Sequence, residues 1–264
     1  VSNALIAAGE WRHALLILGC ACIIISAAVT LFGIIKNPKM VGHYPDGRPE
    51  SNTSIATDKD NTSIKSILLE SQFWMVALSF AIISSSMIIL MTHMVPWAIE
   101  NGFEMQDAAR LLAIAAIALI PGKMVFGYLN DRKGPKVATI LAVLMMSIGW
   151  VLVRYSSAFW LFSTGATLFF FSVSATLPCE AEYVGRIWGT KRFGMIYGFV
   201  QLIVTCFIFI APLSVGVVFD TTGSYKTPMM AVQVILFVPL LLLGLLPLEK
   251  DRKFKPLSQT KSTD

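Results

Sequence analysis

The sequence predicts an all-α membrane protein with seven transmembrane helices. Of its 264 residues, 55% are hydrophobic and only 14% are charged, and the mean hydropathy is +0.69. An average soluble domain carries about 25% charged residues. A run of roughly 20 apolar residues can cross a hydrocarbon core of about 30 Å, because a helix rises about 1.5 Å per residue and satisfies its own backbone groups. Composition and long apolar runs together therefore indicate a membrane protein.

Seven apolar segments meet this length criterion, and we label them helices a to g. They are predicted over His13–Ile35, Phe73–Trp97, Ala108–Tyr128, Val137–Val153, Ala158–Cys179, Gly194–Phe219 and Pro228–Pro247. One long polar stretch separates helix a from the others, and its prolines and Ser/Thr/Asn/Asp-rich second half are typical of a flexible linker. We therefore expect a single helix at 1–35, a linker at 36–70, a six-helix bundle at 71–247 and a tail at 248–264.

The distribution of lysine and arginine predicts how the helices are oriented in the bilayer. Sixteen of these residues lie in the linker, the c–d and e–f connections and the tail, whereas four lie in the connections on the other side. Basic residues are retained on the cytoplasmic side. We thus expect an outside N-terminus and a cytoplasmic tail in a multi-pass protein of the plasma (inner) membrane. The net charge of +5 follows from this bias and does not predict a nucleic-acid partner.

The sequence predicts no enzyme, and therefore no catalytic residue, metal ligand or cofactor. It contains no G-x-S-x-G, no H-E-x-x-H and no glycine-rich phosphate loop. Its four cysteines lack metal-ligand spacing. A heptahelical receptor is a distant alternative, because Asp131-Arg132 follows the third of seven helices. Lys133 stands where that class has a tyrosine, however, and helix f has no C-W-x-P.

Residues 127–136, GYLNDRKGPK, form a polar run between helices c and d, and we call them the motif. Their spacing is G-x-x-x-D-R-x-G-x-K. Gly127 would permit a close helix contact, and Gly134 would permit a tight turn with positive φ. Arg132 and Lys136 would hold the turn on the cytoplasmic side.

The motif is similar to the signature of the major facilitator superfamily, which lies in the cytoplasmic turn after the second or the eighth of twelve helices. Four further stretches resemble bacterial carriers of the oxalate/formate and monocarboxylate branch. They are GEWR at 9–12, VGHYPDG at 41–47, THMVP at 92–96 and FDTTGSY at 219–225. The resemblance covers nearly the whole chain.

This resemblance implies both an architecture and a function. Helix a would be the sixth helix of such a carrier, and helices b to g would form its C-terminal half as a 3+3 inverted repeat. Helices one to five, the N-terminal half of the transporter, would then lie outside this chain. The implied function is secondary active transport of a small organic anion, a monocarboxylate, by alternating access, with a proton or a counter-anion as coupling partner in symport or antiport. The alternative is a carrier of the same superfamily for a neutral or drug-like solute.

The resemblance also implies a gating role for the motif. In the family this turn braces the cytoplasmic ends of helices in one state and releases them in the other. We expect ion pairing among Asp131, Arg132 and Glu182, with Asp131 directed at the N-terminus of helix f near Gly194. The predicted gating residues are Gly127, Asp131, Arg132, Gly134, Lys136 and Glu182.

Lys123 is the clearest candidate for substrate binding, because ionisable residues within a membrane helix are costly. It lies four residues before Gly127, where the resembling carriers have an arginine that meets the substrate carboxylate. Its ammonium would act as a point charge for an organic anion. The alternative is snorkelling, since only about 9 Å of helix separates it from the interface.

Two departures from the family pattern limit the predicted substrate. Leu119 stands where proton-linked carriers have an aspartate, and Val204 stands where oxalate-type carriers have a lysine. A dicarboxylate held by two cations is therefore disfavoured, and proton coupling lacks its usual residue. Gln201 is the nearest polar side chain on helix f and is a further candidate for substrate binding.

His93 and Ser85, both in helix b, complete the predicted substrate-binding set. His93 can titrate near neutral pH, but such a histidine is often hydrogen-bonded in helix packing. The serines at 84–86 either donate to carbonyl groups one turn earlier or line the transport cavity.

Overall fold

A computed structural model of the chain describes residues 11–33, 64–156, 158–189 and 192–246. The chain divides into two units, Val1–Asn61 and Thr62–Asp264. Most of the predicted linker and the whole predicted tail lie outside the described residues. In the first unit, α1 (Trp11–Gly33) corresponds to helix a. Its Ser26 hydroxyl donates to the Cys22 carbonyl at 2.7 Å, so this polar group is satisfied within the helix.

The second unit consists of helices. They are α2 (Ile64–Leu68), α3 (Ser71–Glu100), α4 (Met105–Tyr155), α5 (Phe159–Val173), α6 (Thr176–Trp188), α7 (Phe193–Thr222), α8 (Lys226–Ile235) and α9 (Val238–Leu245). No strand occurs in the described part of the chain, and the all-α prediction is confirmed. Within that part, 5 helical stretches are long and apolar enough to cross a membrane, with α5–α6 and α8–α9 each forming one stretch.

The longest helix, α4, contains two of the predicted helices. Its 51 residues would extend about 77 Å if straight, more than twice the thickness of a hydrocarbon core. Gly134 interrupts it with φ 82° and ψ 165°, so helices c and d occupy residues 105–133 and 135–155. The positive φ predicted for Gly134 is therefore confirmed. Pro135 then starts the second half, where its missing N–H is tolerated.

The predicted end of helix e at Cys179 is wrong. After a break at residues 174–175, α6 continues to Trp188. The apolar run in the sequence is ended by Glu180, Glu182 and Arg186. The helix nevertheless continues through these charged residues. This part of the membrane stretch is amphipathic, with one face buried and one face polar.

Two glycines bring the backbones of α4 and α5 into direct contact. A Cβ atom added at Gly149 would lie 2.7 Å from the Gly165 carbonyl oxygen, and one added at Gly165 would lie 2.7 Å from the Gly149 oxygen. Small residues allow this close approach between membrane helices. Beside the glycines, the Trp150 ring packs on Phe169 at 5.4 Å and its indole N–H donates to the Met229 carbonyl at 3.0 Å. The centre of the unit is therefore densely packed around Trp150.

By contrast, α7 buries little of its surface. Its buried side chains are Ile196, Val200, Val204 and Val215. Large apolar side chains such as Phe209 and Ile210 are exposed on the same helix. This exposed surface suits contact with lipid or with further protein.

We predict that Gly149→Ala destabilises the unit. The added methyl group has no space between the two backbones, and overpacking of this kind costs about 1–3 kcal/mol. The apparent melting temperature of the purified protein in detergent should therefore fall. Gly198→Ala is the matched control, because a Cβ atom there meets nothing within 4 Å. Equal melting temperatures for the two variants would contradict the close contact.

Candidate functional site

The motif lies at one end of the bundle, where it contacts the last helix. The Lys136 ammonium donates to the carbonyl groups of Gly244 and Leu246, each at 2.9 Å. Carbonyl groups at a helix C-terminus lack partners within the helix. Lys136 therefore caps α9 and connects it to the second half of α4. We call this end of the bundle the motif end.

Arg186 of α6 lies against the turn of the motif. A Cβ atom added at Gly134 would lie 3.3 Å from a guanidinium nitrogen of Arg186. The Arg186 Nε group also donates to a carboxylate oxygen of Glu182 at 2.6 Å. The side chains of the pair are 42% and 40% exposed, so the interaction contributes little stability by itself. The ion pair instead fixes the position of the Arg186 guanidinium beside Gly134.

The predicted ion pairing of Asp131 and Arg132 with Glu182 is wrong for this conformation. Glu182 pairs instead with Arg186, which lies one helical turn away on the same helix. The Arg132 guanidinium lies 4.9 Å from the centre of the Tyr128 ring. Asp131 is exposed and, within the described residues, makes no ion pair or hydrogen bond.

The close helix contact expected at Gly127 is also wrong. A Cβ atom added there would meet nothing within 4 Å. The motif thus meets neighbouring helices through Gly134 and Lys136 in this conformation. The gating role of the six predicted residues stays a prediction.

The opposite end of the bundle has a second set of contacts between helices. The Glu100 carboxylate, at the end of α3, accepts hydrogen bonds from the Ser224 hydroxyl at 2.6 Å and from the Tyr225 backbone N–H at 2.9 Å. The Tyr225 ring stacks on Phe219 with ring centres 4.3 Å apart. The turn between α7 and α8 is therefore held against α3.

His93 belongs to this second set of contacts. Its Nε2 lies 3.1 Å from the Pro212 carbonyl oxygen and its Nδ1 lies 3.3 Å from the Tyr225 hydroxyl oxygen. A carbonyl oxygen only accepts, so Nε2 carries a proton, and with a neutral imidazole the hydroxyl donates to Nδ1. Burial raises the pKa of Tyr225, as do Glu100 and Asp220, and this keeps the hydroxyl protonated. Both ring nitrogens are thus engaged between helices, and binding of substrate by His93 stays a prediction.

Ser85 lines a cavity of about 350 Å³ between α3, α7 and α8. The walls are mainly apolar, with Ile82, Phe207, Ala211, Val215 and Val232 among them. Two other serines in the wall are satisfied locally, since Ser86 donates to the Ile83 carbonyl and Ser214 to the Ala211 carbonyl. The buried Ser85 hydroxyl has no hydrogen-bond partner within the described residues. Because the oxygen itself is buried, a ligand in the cavity would meet it only after the neighbouring side chains move.

Gln201 bridges two polar side chains inside the bundle. Its amide nitrogen donates to a Glu180 carboxylate oxygen at 3.1 Å and to the Tyr197 hydroxyl oxygen at 3.0 Å. Glu180 is 1% exposed and lies within the apolar stretch Phe159–Trp188. It is not among the predicted site residues, because helix e was expected to end one residue before it. The signal that identifies it is the acidic pair at 180 and 182 on a helix that continues.

Lys123 is exposed, and within the described residues its ammonium has no polar partner. Its neighbour Gly122 packs against the Phe171 carbonyl of α5 and the hydroxyl of Ser174, which follows that helix. The four predicted substrate-binding residues therefore lie apart from one another. Lys123 is on an exposed surface of α4, Gln201 is beside Glu180, Ser85 lines the α3–α7–α8 cavity, and His93 is at the opposite end. In the described part of the chain, no group of three or more His, Cys, Asp and Glu residues could hold a metal ion.

Comparison with known proteins assigns the chain to a family. A family model described as Major Facilitator Superfamily matches residues 1–139 and 94–263. The chain belongs to the Major Facilitator Superfamily. It is a multi-pass integral membrane protein, and the resemblance read from its motif is confirmed.

Relatives and one solved structure are consistent with this membership. Monocarboxylate transporter 12 of Rattus norvegicus is 25% identical and covers 92% of this chain and 55% of its own length. Monocarboxylate transporter 12 of Xenopus laevis is 25% identical, with 82% and 50% covered. The chain thus spans about half the length of the curated relatives it matches. The E. coli fucose:proton symporter shares the fold, with a TM-score of 0.64 at 16% identity over 92% of this chain and 60% of that one.

We predict that Lys136→Ala loosens the end of α9. Loss of two hydrogen bonds at about 1 kcal/mol each corresponds to roughly 30-fold faster local opening. Backbone hydrogen exchange at residues 243–246 should therefore accelerate by about this factor. Lys133→Ala is the matched control, since the Lys133 side chain is exposed and has no partner within the described residues. Equal exchange in the two variants would exclude the cap.

Proposed function

We propose that the complete gene product is a secondary active carrier that moves a small organic anion, a monocarboxylate, by alternating access. The observation that carries this proposal is the similarity to proteins named monocarboxylate transporter 12 over 82% to 92% of the chain. Membership of the superfamily supports transport in general. The related proteins are transporters and not enzymes.

Lys123 supports the choice of an anion with one carboxylate. Its exposed ammonium is not neutralised by a described side chain, so it can meet a negative charge. At position 204, where a second cation would hold a dicarboxylate, this chain has Val204, which is 2% exposed and packs in the core. One available cation suits one carboxylate.

The second candidate is a carrier for a neutral or drug-like solute. The cavity beside Ser85 favours it, because the walls are mainly apolar and the unpartnered hydroxyl would offer one hydrogen bond once neighbouring side chains move. Ligand pockets of this kind bind molecules that are largely hydrophobic. The two candidates differ in the residue that should matter most, Lys123 for the anion and Ser85 for the neutral solute.

The proposed setting is the plasma (inner) membrane, with the motif end and the C-terminal tail in the cytoplasm. The excess of basic residues at the motif end supports this orientation. The six-helix bundle would rock against the N-terminal half of the transporter around a shared substrate site. A proton or a counter-anion would be the coupling partner.

Uptake by the complete gene product in proteoliposomes tests the proposal. Labelled monocarboxylates, dicarboxylates and neutral solutes of similar size are compared, with and without a pH gradient. Saturable uptake of a monocarboxylate supports the first candidate. Uptake of neutral solutes alone would replace it with the second.

We predict that Lys123→Ala weakens binding of the carboxylate. A hydrogen bond to a charged group contributes about 1.5–3 kcal/mol, so the apparent KM should rise roughly 10- to 100-fold. Lys123→Arg should recover most of the affinity, because it keeps the charge. Lys226→Ala, at the opposite end, serves as the control for loss of a lysine. Full carboxylate affinity in Lys123→Ala would exclude the assigned role.

We predict that Asp131→Asn slows transport several-fold more than it weakens substrate binding. The motif is proposed to stabilise one access state through its charge, and the substrate site lies elsewhere. Initial rates and equilibrium binding of the same substrate separate the two effects. Asp107→Asn is the control, since it removes an exposed carboxylate from the opposite end. An unchanged rate would show that Asp131 does not contribute to gating.

A further inference from the structure

Glu180 is a carboxyl group buried inside a membrane helix. It is 1% exposed and lies eight residues, or about 12 Å, from the end of α6 at Trp188. Its described hydrogen-bond partner is the neutral amide of Gln201. Acidic residues within membrane helices are costly and therefore point to a function.

The three helices that pack against α6 do not neutralise this carboxyl group. From α7, the ionisable side chain beside it is Tyr197, linked through Gln201. Between residues 71 and 92, α3 has no ionisable side chain. In the second half of α4, the buried Thr139 hydroxyl is neutral and has no hydrogen-bond partner within the described residues.

Other charged groups lie closer to the motif end. On α6 itself, Glu182 pairs with Arg186, whose guanidinium lies beside Gly134 of the motif. Glu70 accepts a hydrogen bond from Trp188 at the end of the helix. Within the described residues, no lysine or arginine forms an ion pair with Glu180. An ionised Glu180 is therefore uncompensated in this conformation, which favours the neutral acid.

Gln201 is a partner that suits both protonation states. Its N–H group donates to the carboxylate, and the carbonyl oxygen of the same amide can accept from the carboxylic acid after the amide rotates. A lysine or arginine would stabilise only the carboxylate. The second N–H group of Gln201 reaches Tyr197, which is half-buried and stacks on Phe193 near the start of α7. Gln201, Tyr197 and Phe193 thus form a row of side chains that extends from Glu180 toward the motif end.

We propose that Glu180 is the proton-binding site of the carrier, and that it takes up and releases one proton in each transport cycle. On one side of the membrane the carboxylate accepts a proton from hydronium: one O–H bond forms on Glu180 and one O–H bond of hydronium breaks, which leaves water. On the other side the carboxylic acid returns the proton to water. One proton then moves with one carboxylate anion, so net transport is electroneutral. The sparsely packed α7, which carries Gln201 and Tyr197, is the element whose movement would open Glu180 to water. This inference rests on the proposed function, since it names the coupling ion of the same carrier.

The test uses Glu180→Gln in the complete gene product, reconstituted in proteoliposomes with a labelled monocarboxylate. A pH difference of one unit can drive roughly tenfold accumulation in one-to-one symport. The variant should lose this accumulation and keep exchange of labelled for unlabelled substrate, because exchange needs no release of the proton. Glu104→Gln is the matched control: it removes an exposed carboxylate at the start of α4, and it should accumulate substrate normally.

Two further measurements keep the inference testable if Glu180→Gln folds poorly. Gln201→Leu removes the N–H donor to the carboxylate, so the midpoint of the pH dependence of uptake should move to higher pH. Infrared difference spectra of the purified protein should show the C=O band of a protonated carboxylic acid that disappears at high pH. That band should be absent from Glu180→Gln if the variant folds.

The possible results separate this inference from the proposed function. Proton-driven accumulation in Glu180→Gln, or an unchanged pH midpoint in Gln201→Leu, would overturn the assignment of Glu180. Carboxylate uptake by the unaltered protein without any effect of the pH gradient would overturn proton coupling and leave the proposed function in place. Absence of carboxylate uptake would overturn the proposed function. The infrared band then decides separately whether Glu180 binds a proton.

Discussion

The hydrocarbon core offers no hydrogen bonds, and this constraint decides where the polar side chains of the bundle lie. Several are satisfied locally: Ser79 donates to the Met75 carbonyl one turn earlier, and Ser86 donates within its own helix. Trp150 instead donates to a carbonyl group of α8 and so joins two helices. Other buried polar atoms have no hydrogen-bond partner within the described residues, Ser85 Oγ among them. Glu180 differs from all of these, because it is ionisable and its described partner is a neutral amide.

The two ends of the bundle are held by different chemistry. At the motif end, an ammonium group caps the last helix and a guanidinium group lies over a glycine. At the opposite end, a carboxylate and a histidine hold the turn between α7 and α8. The first set joins α4 to α6 and α9, and the second joins α3 to α7 and to the turn between α7 and α8. A carrier that opens to alternate sides must break contacts at one end while it keeps those at the other. Both sets consist of hydrogen bonds, ring stacking and van der Waals contacts, and such contacts can reform.

Much of the fold follows from the sequence, because apolar length and the exceptional backbone of Gly134 are local properties. The contacts of the candidate site residues were less predictable, since they depend on partners that are distant in the chain. Glu182 was expected to pair with Arg132, but Arg186 lies one turn away on the same helix and is the closer partner. The sequence alone does not identify Glu180, because an apolar run that ends at Cys179 does not show that the helix continues to Trp188. Its partner Gln201 was identified as polar, but only the packing of α6 on α7 shows what it contacts.

The contact between Gly149 and Gly165 has a mechanical consequence. Two backbones that touch without side chains between them cannot slide or tilt without losing van der Waals contact along the crossing. The second half of α4 and α5 therefore behave as one solid block, to which Trp150 adds α8. α7 lies outside this block and packs mainly on α3. The block and α7 can therefore move relative to each other, and α7 carries the amide that contacts Glu180.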